Sequence, residues 1–170
     1  QGYPVAAAKR STENRRSLGI GYIGLAHYLA KNHVLYSHTE AADLVHKLTE
    51  SFQYYLLKAS NKLAQEKGAC KYFGRTKYSK GILPIDTYKK DVDELVSDTT
   101  LQHDWNQLRD DIVASGLRHS TLSAQMPSES SSVVSNATNG IEPPRGYLST
   151  KKSKKGPLKQ IVPQYQSLKS

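Results

Sequence analysis

The residues best suited to chemistry lie in the stretch TLSAQMPSESSS, from Thr121 to Ser132. Its alternating apolar residues predict a strand, Pro127 would end the hydrogen-bonded ladder of that strand, and the serine run from Ser128 would begin a helix. The free N–H groups of a helix start carry partial positive charge, which favours a bound anion by about 0.3 to 1 kcal/mol. Because serine hydroxyls would add further donors, the pattern is typical of an uncharged phosphate-binding loop.

A plain helix cap explains the same residues equally well. Serine and glutamate at a helix start commonly bind the free N–H groups of the helix itself, and the stretch has neither the glycines nor the lysine of a P-loop. The carboxylate of Glu129 would repel a phosphate unless it were turned aside. It could instead accept a hydrogen bond from a sugar hydroxyl, or cap the helix. These residues alone leave both interpretations open.

Two other candidate sites have weaker support. The hexapeptide GIGYIG, Gly19–Gly24, matches a dinucleotide-binding pattern, but no buried strand precedes it, so we interpret it as a junction between a strand and a helix. The six histidines are scattered, and Cys70 is the only cysteine. We therefore expect no metal site and no disulfide.

The net charge of +9 is concentrated near the C-terminus of the chain. Residues 145–170 contain seven lysines or arginines and no acid, whereas residues 1–144 have 17 basic against 15 acidic residues. No aromatic residues alternate with the KKSKK lysines, so we expect no nucleic-acid partner. No apolar run is long enough to span a bilayer, which favours a cytoplasmic protein without a membrane partner. The chain begins at Gln1 and has one methionine, Met126, so we expect it to be a piece of a longer protein.

Helical signals dominate the first two thirds of the chain. Residues 1–17 read as an entering loop, and residues 25–31 as a helix. A long helix is predicted from Ser37 or Thr39 to Gly68, with an apolar face of Leu44, Leu48, Phe52, Leu56, Ala59 and Leu63. Asp104 should cap a shorter helix that ends at Gly116 and faces inward through Trp105, Leu108 and Ile112. Pro84 predicts an extended loop between these two helices.

Strand signals frame the serine stretch and dominate the tail. Residues 117–126 have strand character before Pro127, and residues 18–24 suggest a brief strand or turn. GYLST, KKSKKG and LKQIV predict strand, turn and strand. We thus expect an α/β fold in one domain of 170 residues, with helix and strand units over 18–144 and a basic, hairpin-like tail over 145–170.

Several blocks of the chain together resemble the large, catalytic subunit of class I ribonucleotide reductase. The most specific is MPSESSSVVSNATNGIEPPRG, residues 126–146. The others are spread over nearly the whole chain and read RRSLGIG, QYYLLKASNKLA, GILPIDTYKKD, GLRHSTLSAQ and KQIVPQY. The resemblance implies part of the ten-stranded α/β barrel of that family, followed by a C-terminal β-hairpin.

The resemblance also implies a reaction and a substrate site. The family reduces ribonucleoside diphosphates to deoxyribonucleoside diphosphates by thiyl-radical chemistry. Its loop that grips the substrate diphosphate corresponds here to five consecutive residues: Pro127, Ser128, Glu129, Ser130 and Ser131. The family commonly has threonine where Ser130 stands, so a hydroxyl is retained.

The remaining machinery of the family would lie outside this segment. Neither Cys70 nor the pair Tyr54 and Tyr55 matches the family's catalytic cysteines or radical-relay tyrosines, so the segment should hold no catalytic residue, bind no cofactor and be inactive alone. The implied partners are the rest of the large subunit, with its nucleotide effector sites, a second copy of that subunit, and a metal-containing small subunit that supplies the radical. Electrons would come from thioredoxin or glutaredoxin. The alternatives are a non-catalytic nucleotide-binding module, or one chain of a naturally split subunit.

Overall fold

The computed structural model describes residues 2–154 and 156–168. They form six α-helices and two strands, together with short 3₁₀ turns at Phe73–Arg75, Lys77–Lys80 and Lys90–Leu95. The elements are α1 Ala6–Arg15, α2 Leu25–Lys31, α3 Thr39–Lys67, α4 Pro84–Thr87, α5 Trp105–Ser115, α6 Glu129–Val134, β1 Leu148–Ser153 and β2 Gly156–Ile161. The chain divides into a first unit, Gln1–Ile20 with Asp43–Ala124, and a second unit, Gly21–Ala42 with Gln125–Ser170.

The core of the first unit is built around α5. The predicted inward residues Trp105, Leu108 and Ile112 are all buried, and they pack with buried apolar residues of the same unit: Tyr54, Leu57, Leu83, Leu117 and Leu122. The Asp104 carboxylate accepts the Gln107 N–H at 2.9 Å, as a helix cap does. The predicted capped helix is therefore confirmed in its bounds, its cap and its buried face.

The helix α3 is confirmed in length, but its predicted buried face is wrong. Gly68 ends the helix with a positive φ of +80°, as expected of a left-handed C-terminal residue. Ala59 is exposed, the five other residues of the predicted stripe are only half-buried, and the buried positions include the polar residues Glu50, Ser60 and Asn61. A prediction from hydrophobic spacing places polar residues on the exposed face of a helix. Here these polar residues are buried, and hydrogen bonds satisfy their polar groups. Asn61, for example, donates to the carbonyls of Asp111 and Gly116 at 3.0 and 2.8 Å.

Two predicted loops are helical instead. Residues 6–15 of the supposed entering loop form α1, which has no buried residue and so no apolar period to reveal it, although alanines at its start favour a helix. The segment at Pro84 begins α4, because proline is well suited to the first position of a helix. The Asp86 carboxylate stabilises that turn by accepting the Leu83 N–H at 2.7 Å and by pairing with Arg109 at 2.6 Å.

The strand predicted before Pro127 is present only as a short parallel pairing. Ile20 and Ser123 form an isolated bridge. Beside it, the Ile20 N–H donates to the Leu122 carbonyl at 2.8 Å, and the Ala124 N–H donates to the Ile20 carbonyl at 3.0 Å. The first unit thus holds a fragment of parallel sheet.

The second unit contains the antiparallel hairpin of β1 and β2. Its register runs from the pair Leu148 and Ile161 to the pair Ser153 and Gly156. This confirms the predicted hairpin, but the turn is shorter than the predicted KKSKKG, because β1 extends to Ser153 and β2 begins at Gly156. Lys155, in the turn, lies outside the described residues.

The helices and the hairpin together confirm the expected α/β class. Among the described residues, no helix is long and apolar enough to cross a membrane.

Candidate anion-binding site

The serine stretch begins a helix where the sequence predicts one. The exposed Pro127 is followed by Ser128, which occupies the N-cap position of α6, and the Ser132 N–H donates to the Ser128 carbonyl at 2.8 Å. Four of the five predicted site residues therefore form the first turn of α6 or its cap, and Pro127 leads into it.

Ser128 does not cap α6 with its side chain. Its N–H and its hydroxyl both donate to Oδ1 of Asn139 at 2.8 Å, and the hydroxyl oxygen accepts the Gly140 N–H at 2.8 Å. The residue is only 6% exposed. The interpretation of the stretch as a plain serine cap is therefore wrong, because the Ser128 hydroxyl is committed to the loop at 139–140.

The next three residues leave their backbone N–H groups open. Glu129, Ser130 and Ser131 are exposed, and within the described part of the chain their amides have no hydrogen-bond acceptor. The first turn of a helix has no intrahelical acceptor for these groups. The hydroxyl of Ser130 also has no partner among the described residues, while that of Ser131 donates to the Ser128 carbonyl at 3.3 Å. Three amides and one hydroxyl are thus available at one helix start.

Glu129 does not cap the helix either, since α6 has no side-chain cap hydrogen bond. Glu129, Ser132 and Val133 lie on one face of α6 and line a cavity of about 360 Å³ within the second unit. The hairpin and the loop at 137–146 form its other walls, which carry Arg145 and Lys151. Two roles were considered for the Glu129 carboxylate. Capping of the helix is excluded, and a hydrogen bond from a sugar hydroxyl stays a prediction.

The start of α2, also in the second unit, has two of its donors bound within the chain. The Gly24 N–H donates to the Thr138 carbonyl at 3.0 Å, and the Leu25 N–H donates to the Gly140 carbonyl at 3.3 Å. Gly24, with φ of +82°, directly precedes α2. These bonds occupy the N-cap amide and the first helical amide of α2, two of the donors that a dinucleotide phosphate would need. The interpretation of GIGYIG as a junction rather than a cofactor loop is consistent with this geometry.

Sequence reasoning missed Asn139 as a residue of the site. An Asn-Gly pair is a common breaker of helices, so Asn139 and Gly140 indicate a turn in the sequence but not a role for the asparagine side chain. A signal exists in hindsight, because an asparagine beside a glycine with positive φ often uses its side-chain oxygen as a local acceptor. Gly140 has φ of +47° here.

The described residues offer no obvious metal or thiol chemistry. No group of three or more histidine, cysteine, aspartate or glutamate side chains among residues 2–154 and 156–168 could hold a metal ion. Cys70 is buried, and burial raises the pKa of its thiol. A thiol of that kind is poorly suited to act as a nucleophile at neutral pH.

The family model and the known proteins that match this chain all indicate the same family. Residues 1–169 match the family model for the barrel domain of ribonucleotide reductase. The chain is 64% identical over 99% of its length to ribonucleoside-diphosphate reductase subunit alpha of Haemophilus influenzae, and 60% identical over 99% to ribonucleoside-diphosphate reductase 1 subunit alpha of Escherichia coli. It is 50% identical over 96% to the subunit alpha of enterobacteria phage T4.

The chain spans only 22%, 22% and 21% of the lengths of these three relatives. The match nevertheless covers nearly all of the chain itself and falls in one domain of the family. The chain therefore belongs to the ribonucleotide reductase large-subunit family, as a segment of its barrel domain.

Proposed function

We propose that this segment serves a ribonucleoside-diphosphate reductase by binding the diphosphate of the substrate at the start of α6. The observation that carries the proposal is the set of open donors: the amides of Glu129, Ser130 and Ser131 and the hydroxyl of Ser130 have no acceptor among the described residues. A diphosphate supplies acceptor oxygens for all of them.

Uncharged donors are sufficient for such a site. A hydrogen bond to a charged group contributes about 1.5 to 3 kcal/mol, roughly twice as much as a neutral one. The partial positive charge of the helix start adds to this attraction. In this proposal Ser128 is not a phosphate ligand, because its N–H and hydroxyl are already bound to Asn139. Pro127 contributes no N–H group, and it fixes the backbone that leads into the turn.

Glu129 has a separate role in the proposal. Its carboxylate does not cap α6, and Glu129 lines the neighbouring cavity together with Arg145 and Lys151. We assign the carboxylate to a hydroxyl of the substrate sugar, as an acceptor. Its contribution is then to orient the nucleotide, since a held diphosphate and a held sugar together fix the reacting carbon in place.

The redox chemistry belongs to other parts of the assembly. Cys70, the only cysteine of the chain, is buried and has a raised thiol pKa, so it fits no thiyl or dithiol step. A radical from a metal-containing small subunit and electrons from thioredoxin or glutaredoxin would complete the reaction, with the large subunit acting as a homodimer. This segment would contribute substrate binding and no electron transfer.

The test is a change of Ser130→Ala and Ser131→Ala together in the full-length subunit that carries this segment. We expect the KM for the ribonucleoside diphosphate to rise about tenfold, because a hydrogen bond to a charged phosphate is lost. The matched control is Ser135→Ala, at the C-terminal end of α6. It removes an exposed hydroxyl whose one bond among the described residues is to the Ser131 carbonyl. If the double variant kept both the wild-type KM and the wild-type kcat, these hydroxyls would have no part in binding.

A further inference from the structure

We infer that Asn139 is a positioning residue, which acts through Ser128 to hold the start of α6 open for the diphosphate. The inference rests on the proposed function of that turn. Its first support is the pattern of bonds to a single atom. Oδ1 of Asn139 accepts both the N–H and the hydroxyl proton of Ser128, each at 2.8 Å. Because an N–H group can only donate, the atom facing Ser128 must be the amide oxygen.

The bonds to Asn139 remove Ser128 from competition for the open amides. A serine at an N-cap position ordinarily accepts from the amide of the second or third helical residue. Here those amides belong to Ser130 and Ser131, and Ser128 bonds to neither of them. The Gly140 N–H occupies the Ser128 hydroxyl oxygen from the other side, at 2.8 Å. The cap that would close the site is thus drawn away from it.

The loop that carries Asn139 is itself anchored on both sides. The residue before it, Thr138, accepts the Gly24 N–H at 3.0 Å, and the residue after it, Gly140, accepts the Leu25 N–H at 3.3 Å. Gly140 has φ of +47°, and a Cβ atom added there would lie 3.5 Å from the Met126 carbonyl and 3.8 Å from the Ser128 hydroxyl. A side chain whose two neighbours are fixed to α2 is well placed to hold another residue rigidly.

The first experiment compares Asn139→Ala and Ser128→Ala in the full-length subunit, singly and together. Without Asn139 the Ser128 hydroxyl is free to cap the amides of α6, so we expect Asn139→Ala to raise the KM for the diphosphate about tenfold, with kcat at saturating substrate near wild type. Because Asn139 acts through Ser128, the double variant should have a KM no higher than Asn139→Ala alone. Effects that multiply, or a fall in kcat without a change in KM, would overturn the inference.

A second variant, Asn139→Asp, separates positioning from general support of the fold. Aspartate keeps an acceptor oxygen for Ser128 and places a negative charge beside the open amides. We expect a raised KM whose increase shrinks at higher salt, because the added repulsion of the substrate is screened. If Asn139 only supported the fold, this variant should have a wild-type KM. Asn139→Asp also decides the matter if Asn139→Ala fails to fold.

The results also separate this inference from the proposed function. Suppose that the double change Ser130→Ala with Ser131→Ala raises KM, while Ser128→Ala, Asn139→Ala and Asn139→Asp all leave KM unaltered. The diphosphate site then stands, and the positioning role of Asn139 is wrong. If none of these variants changes KM, the proposed site itself is wrong.

Discussion

Two groups of N–H donors, one in each unit, differ in where their acceptor comes from. In the first unit, residues at and just before the start of α5 bind the carboxylate of Glu50. The N–H groups of Gln102 and His103 donate to it at 2.8 and 3.3 Å, and the Trp105 indole donates at 3.0 Å. In the second unit, the donors at the start of α6 have no acceptor within the described residues. The chain thus supplies one group of donors with its own carboxylate, and we propose that the other group takes its acceptor from a ligand.

The filled site shows what bound donors do to an anion. Burial by itself would raise the pKa of Glu50, but the hydrogen bonds from Gln102, Trp105 and His103 outweigh it and lower the pKa below its ordinary value. Glu50 is therefore ionised while buried, although no cation among the described residues pairs with it. This is the physical precedent, inside one chain, for holding a phosphate with neutral donors.

The largest expected effect comes from emptying the filled site. Glu50→Ala leaves the buried Trp105 indole N–H and the partly buried donors of Gln102 and His103 without an acceptor, which should lower the local free energy of opening by about 3 kcal/mol. Hydrogen exchange of the Gln102 and His103 amides in the full-length subunit measures this directly, as much faster exchange. Glu66→Ala, an exposed change in the same helix, is the matched control. Equal protection in both variants would show that Glu50 does not hold this segment.

The converse change fills the open site. In Ser130→Asp, the new carboxylate lies among the open amides of α6 and repels the substrate diphosphate, so KM should rise roughly 100-fold. The variant should remain folded, because an acidic residue in the first turn stabilises a helix by about 0.3 to 1 kcal/mol. Ser135→Asp, after the last turn of α6, provides the comparison. A wild-type KM for Ser130→Asp would mean that the substrate does not use this turn.

The smallest expected effect is the pH dependence of the filled site. Because the folded pKa of Glu50 is lowered, its ionised form contributes stability that is complete above the ordinary glutamate pKa. That contribution is lost as pH falls through the lowered pKa, although a protonated carboxyl still accepts some of these bonds. The protection of the Gln102 amide should therefore decrease with acidification in the wild type and much less in Glu50→Gln. Parallel profiles in the two proteins would contradict the assignment.

Short-range signals were sufficient for much of the fold. The confirmed predictions include α5 with its Asp104 cap and buried Trp105, the end of α3 at Gly68, and the start of α6 after Pro127. Each depends on residues within a few positions of one another, so the sequence carries the whole signal. The resemblance to the reductase family, and the α/β class that it implied, are confirmed by the family match. The diphosphate contacts of the serine turn stay a prediction.

The predictions that failed have a common cause: the structural features that they concern depend on distant residues or on a buried face. Helix α1 buries nothing and so shows no apolar period. The buried side of α3 carries Glu50 and Asn61, whose partners lie about fifty residues further along the chain. No local pattern can report that such polar residues will be satisfied in the interior.

The sequence by itself determined that a helix would begin near Ser128 and that serine donors would gather there. Only the tertiary structure decided whether those donors close on themselves or remain open. The decision depends on Asn139, which binds Ser128 from eleven residues away, and on the bonds from Gly24 and Leu25 that fix the loop around it. Because the bonds from Gly24 and Leu25 join segments more than one hundred residues apart, they exist only once the chain has folded.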